Sequence, residues 1–231
     1  SGTGSLVKYG QGTLSLTGEN TYTGSTQVEA GTLTIGNGGT SGSIVSDITA
    51  VQSVRFNRSD DSVYSGNFLQ GTLVKEGAGV LTLTGVNSYT GSTNINGGTL
   101  RLGAASALPA QSNVIVGAGA ILDVNGQQAS AFSLQGGGQV ALGSGRLSIN
   151  GLTDAEFTFA GTISGSGALD LNGSSLTSLT LTGANTFSGG TRLDHGTLVL
   201  GSPGALGTTG PITFAGGTLR FTADNATDYS A

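Results

Sequence analysis

A segment of about 25 residues occurs three times in register, and this repetition restricts the available folds more than any other feature of the chain. Residues 12–36 read GTLSLTGENTYTGSTQVEAGTLTIG, residues 79–103 read GVLTLTGVNSYTGSTNINGGTLRLG, and residues 179–201 read LTLTGANTFSGGTRLDHGTLVLG. Gly18, Gly85 and Gly183 are 67 and 98 residues apart, as are Thr26, Thr93 and Thr191, so no gap falls inside the motif. The preceding segment repeats too: GSLVKYG at 4–10 matches GTLVKEG at 71–77 and, more loosely, GALDLNG at 167–173. The third copy carries two extra residues before LTLTG, which a stacked repeat would place in a turn.

Within and between the copies, apolar residues alternate with small polar ones, as in Leu14/Leu16, Leu33/Ile35, Val54/Phe56, Leu81/Leu83, Leu100/Leu102 and Leu198/Leu200. Period two with Gly, Asn and Ser at the ends of each run predicts short strands with one buried side, and no helix longer than a turn. Equivalent strands recur every 19 to 22 residues, as from Leu14 to Leu33, Val54 and Leu73, or from Leu179 to Leu198 and Leu219, with Phe159 taken as the equivalent before Leu179. The spacing loses phase between Leu73 and Leu81.

Three short strands in about 20 residues make one coil that cannot bury its own apolar side, so coils must stack. The expectation is an all-β chain folded as one right-handed parallel β-helix (β-solenoid) over residues 1–231, with about eleven coils in a rod roughly 50 Å long. An antiparallel sandwich would instead turn at Asn37-Gly38, Asn96-Gly97, Asn125-Gly126, Asn150-Gly151 and Asn172-Gly173.

Composition removes several function classes. The chain has 8 basic and 13 acidic residues in 231, with net charge −5. Lys8, Arg55, Arg58, Lys75, Arg101, Arg146, Arg192 and Arg220 are scattered, so the concentrated basic footprint that nucleic acid needs is missing. Cys is absent, which excludes disulfides and thiolate chemistry. No apolar run is long enough for a membrane helix, and no signal peptide opens the chain.

The motif L-T-L-T-G-x-N-[ST]-[YF]-[ST]-G-x-T followed by G-T-L-x-x-G resembles the passenger-associated transport repeat of Gram-negative autotransporters. GSLVKYG, GTLVKEG and FNRSDDSVYSG at 56–66 fit the same pattern. The resemblance implies a β-helical passenger of a type V secreted protein, exported through a C-terminal outer-membrane barrel and displayed on the cell surface or shed. Neither the barrel nor a signal peptide is in the sequence, and Ser1–Gly4 aligns with Phe68–Gly71, so we read the chain as a segment of a larger passenger. Its expected role is non-catalytic: a folding template for export, and a stalk or adhesive surface for adhesion or autoaggregation. The implied partners are glycan or protein on a host or neighbouring cell, or a second copy of the chain. No cofactor is expected. A β-helix polysaccharide lyase or hydrolase, or the stalk of a protease or esterase whose active domain lies elsewhere, are the alternatives.

The repeated positions read as structural. Asn20, Asn87 and Asn185 suit coil corners, since Asn tolerates left-handed backbone and bonds its own main chain. Gly18, Gly24, Gly31, Gly85, Gly91, Gly98, Gly183, Gly189 and Gly196 mark the remaining turn positions of the repeat. Tyr22, Tyr89 and Phe187 share one position, and Phe in place of Tyr points to packing rather than glycan stacking. Arg55, Arg58, Asp60 and Asp61 form the one dense charge cluster, a candidate contact loop with no metal-loop spacing. His195, the sole His, corresponds to Ala30 and Gly97 in the other copies and has no triad context.

Overall fold

A computed structural model of the chain describes residues 1–152, 154–223 and 225. The strands stack in parallel as a β-solenoid, and every strand pair among the described residues is parallel. The hairpins of an antiparallel sandwich are therefore absent, and the Asn-Gly steps serve other bends. Only Asn125, at φ 54°, takes left-handed backbone among the described non-glycine residues. Among the described residues the one helical element is a single 3-10 turn at Ala105–Ala107.

The longest ladder can be followed through one inward column: Leu16, Ile35, Phe56, Lys75, Ile95, Val116, Gly136, Phe159, Leu181, Leu200 and Phe221 are successive register partners. Ten steps of 19 to 23 residues join these eleven positions. A second face holds the column Leu81, Leu100, Leu122, Val140 and Ile163. The third face is formed toward the C-terminus by Gln128–Ala131, Arg146–Ile149, Ala168–Asn172, Thr191–His195 and Ile212–Phe214. Side chains alternate across each strand, so Leu100 and Leu102 are fully buried while Thr99 and Arg101 are half-buried. The three inward rows meet in one continuous apolar core.

Two details of spacing are resolved by this geometry. Leu73 and Leu81 lie in one coil on adjacent faces, so the apparent loss of phase is a corner. Leu179 pairs with Phe157 rather than Phe159, because Phe159 pairs with Leu181. The extra residues of the third copy sit in a turn closed by the Thr177 N–H on Ser174 O, where Leu176 is exposed.

Candidate functional site

The three repeat copies do not all share a face. Leu14 and Leu33 of the first copy and Leu179 and Leu198 of the third lie on the longest ladder, whereas Leu81 and Leu100 of the second lie on the adjacent sheet. At about 20 residues per coil, 67 residues is about three and a third coils, so the second copy turns through a third of the circumference. What recurs is a corner, not a stripe.

In that corner, Asn87 ties three coils together. Its Oδ1 accepts the Phe68 N–H at 2.8 Å and its Nδ2 donates to Ala107 O at 2.7 Å. Asn185 does the same with the Ile163 N–H and Ala205 O. Asn20, in the first coil, donates to Gly18 O and Ser43 O. None of the three is left-handed, so the residue is needed for its amide, which replaces a ladder hydrogen bond where the strand bends.

The repeat glycines let neighbouring backbones approach. A Cβ at Gly85 would lie 2.1 Å from Gly66 O, and one at Gly183 would lie 1.8 Å from Gly161 O. At Gly24 and Gly91 the corresponding distances, to Gly4 O and Gly71 O, are both 2.4 Å, and Gly189 abuts Gly167 in the same way. Gly31, Gly98 and Gly196 have φ of +69°, +59° and +81° and face the backbone of the coil below. Gly18, in the first coil, has open space around it.

Tyr89 and Phe187 are fully buried, and Tyr22 packs against the core. Tyr89 Oη meets Thr93 Oγ1 at 2.7 Å, and Thr93 Oγ1 meets Ser112 Oγ at 2.7 Å. Tyr22, Thr26 and Ser46 form the same relay in the first copy. In the third copy Phe187 has no hydroxyl, and Thr191 Oγ1 is buried without a partner. Burial pushes the Tyr89 hydroxyl well above its ordinary pKa.

Lys75 is 2% exposed and points into the core, where its ammonium donates to Glu76 O, Gly77 O and Gly97 O at 2.7–3.0 Å. Burial holds its pKa down at about 8, with the Glu76 carboxylate opposing the shift. Lys8 makes the equivalent clamp on Gly10 O and Ala30 O, both at 2.7 Å. In the sequence both lysines stand among the scattered basic residues. The signal was present, since in Leu73-Val74-Lys75 the lysine has the same parity as the buried leucine.

The charge cluster at 55–61 bonds within the rod. Arg55 pairs with Glu76 at 2.7 Å. Arg58 grips Asp60 through two bonds, which raises its own pKa and lowers that of Asp60, and it also donates to Gly42 O and Thr40 O. Asp61 accepts the Val80 N–H. His195 is exposed at a strand end beside Asn172. Among the described residues, no group of three His, Cys, Asp or Glu side chains is able to hold a metal, and no helix is long and apolar enough to cross a membrane.

These features define a parallel β-solenoid built on a recurring, internally bonded corner. The passenger-associated-transport-repeat family model matches residues 6–35, 73–102 and 177–200, which overlie the three copies. The third match starts after Leu171, which occupies the place of Lys75 in GALDLNG. Over 100 residues, 41% of this chain, the sequence is 41% identical to the adhesin BmaC autotransporter of Brucella suis biovar 1 (strain 1330). The matched stretch spans 3% of that protein's length. No solved structure matches the chain.

Proposed function

We propose that the chain is a non-catalytic passenger segment of an autotransporter, displayed outside the outer membrane as a stiff stalk with an adhesive role. Its similarity to an autotransporter adhesin supports that setting. In the export reading, each coil folds on the one before it, and the full-length protein supplies an outer-membrane barrel as the exit. The observation that carries this reading is the corner amide: Asn87 and Asn185 each bond the coil before and the coil after, so a newly emerged coil finds directional partners on a finished one. Folding energy is then released one coil at a time, as nearest-neighbour terms.

Deletion analysis on the full-length protein tests this. Removing residues 73–92 joins Thr72 directly to Thr93, the register partner of Leu73, and so removes one whole coil. Removing 79–103 takes out one coil and part of the next. The template reading expects near-normal surface display for the first deletion and strongly reduced display for the second. Equal display of both would overturn it.

A further inference from the structure

A polar cleft of about 450 Å³ opens on the third face, with Gly189 and Gly190 in its floor and Arg146, Asp170, Arg192 and Thr213 around it. Its charges are arranged in a ladder across successive coils. Arg146 Nη1 bonds both oxygens of Asp170, and Arg192 Nε bonds Asp194 at 2.7 Å. Each arginine thus commits one nitrogen, leaving Nε and Nη2 of Arg146 and both terminal nitrogens of Arg192 without a hydrogen-bond partner among the described residues. The two guanidinium side chains are 42% and 53% exposed.

Arg55 and Arg101 also keep spare donors beside a single carboxylate, but Lys8, Lys75 and Arg58 do not. Lys8 and Lys75 are spent on buried carbonyls, and Arg58 is spent on Asp60 and two carbonyls. In this cleft two guanidiniums with spare donors line one concavity.

We infer that this cleft binds a saccharide bearing a ring carboxylate. Two arginine forks offer planar paired donors suited to a carboxylate. Asp170 and Asp194 cancel the net charge of the two arginines, so the cleft lacks the positive surplus that favours a dianionic phosphate, and a monoanionic carboxylate is held by directional hydrogen bonds to the spare guanidinium N–H groups. The Asp170 carboxylate and Thr213 hydroxyl supply acceptors and a donor for neighbouring sugar hydroxyls. The inference rests on the adhesive reading above and names its ligand class.

The test is titration calorimetry of the purified chain with a glucuronate-terminated trisaccharide, its carboxyl-reduced counterpart and a glutamate-containing peptide. Saturable binding of the acidic sugar is expected, with affinity about tenfold weaker for the reduced sugar and for Arg192→Gln, the loss of one charge-assisted contact. Arg192→Gln is the primary variant because its side chain is exposed; Arg146→Gln is read only with a melting curve, since it strands the Asp170 carboxylate. No saturable binding at millimolar sugar, equal binding of acidic and reduced sugars, equal binding of the peptide, or unchanged binding in Arg192→Gln would each overturn the site. Adherence of cells displaying Arg192→Gln is scored in parallel: adherence retained without sugar binding removes this site and leaves the adhesive reading standing.

Discussion

The second and third repeat copies share their corner amide and their close-packed glycine, yet fill the corner differently. Around Asn87 lie a Tyr–Thr–Ser hydroxyl relay and the Lys75 clamp; around Asn185 lie Phe187, a stranded Thr191 hydroxyl and Leu171. The shared elements replace ladder hydrogen bonds of the adjoining coils or pack closely against their backbone. The variable ones are the relay hydroxyls, which bond chiefly one another, and Lys75, which adds a bond to Gly97 O of the next coil. The relay is lost only in part in the third copy, where Phe187 drops the tyrosine oxygen and the Thr191 hydroxyl stays behind. The amide and the glycine answer to neighbouring coils and are kept in both copies.

The glycine gives the largest test of that division. Gly85→Ala and Gly183→Ala each put a methyl about 2 Å from a carbonyl of the coil below, so both should cost about 3 kcal/mol or more by chemical denaturation. A tolerated substitution in either copy would break the claim that this position is common ground.

The lysine clamp provides a pH test that only one of these two copies can pass. Lys75 is held at about 8 against an ordinary 10.5, so between those values the unfolded chain keeps a proton the folded chain has released. Stability contributed by this group therefore rises as pH climbs through that window. The wild type minus Lys75→Met difference should show that rise, free of the opposing effect of the buried tyrosines, which both proteins share. A flat difference would remove the lysine from the buried state described.

The relay should give the smallest effects. Tyr89→Phe should cost about 1 kcal/mol, because Thr93 keeps its Ser112 partner, and Phe187→Tyr should return up to about 1 kcal/mol by giving Thr191 a partner. If Phe187→Tyr destabilises, the third corner has repacked around Phe and the two copies differ in shape as well as in chemistry.

Much of this was legible in the sequence. Period-two alternation placed the strands, and gap-free copies gave the stacking unit, because a coil's apolar side has nowhere to go except onto the next coil. The Tyr22/Tyr89/Phe187 position read as packing because a hydroxyl that can be dropped is not essential to a surface. The roles of Asn87 and Lys75 were harder to see. Asn was expected at left-handed turns, and its bonds run to Phe68 and Ala107, 19 and 20 residues away. Lys75 looked like any surface charge until its three carbonyl partners were known.

The sequence by itself determined that coils of about twenty residues stack and which apolar residues point inward, since both follow from local periodicity. Only the tertiary structure decided which face each copy occupies. That depends on the accumulated lengths of the intervening turns: between Val116 and Leu181 successive register partners are 20, 23 and 22 residues apart, and each added turn residue shifts everything after it around the rod. It also brought Arg146, Asp170 and Arg192 side by side, because lateral neighbours in a solenoid are set by the length of a whole coil and not by any pattern within one.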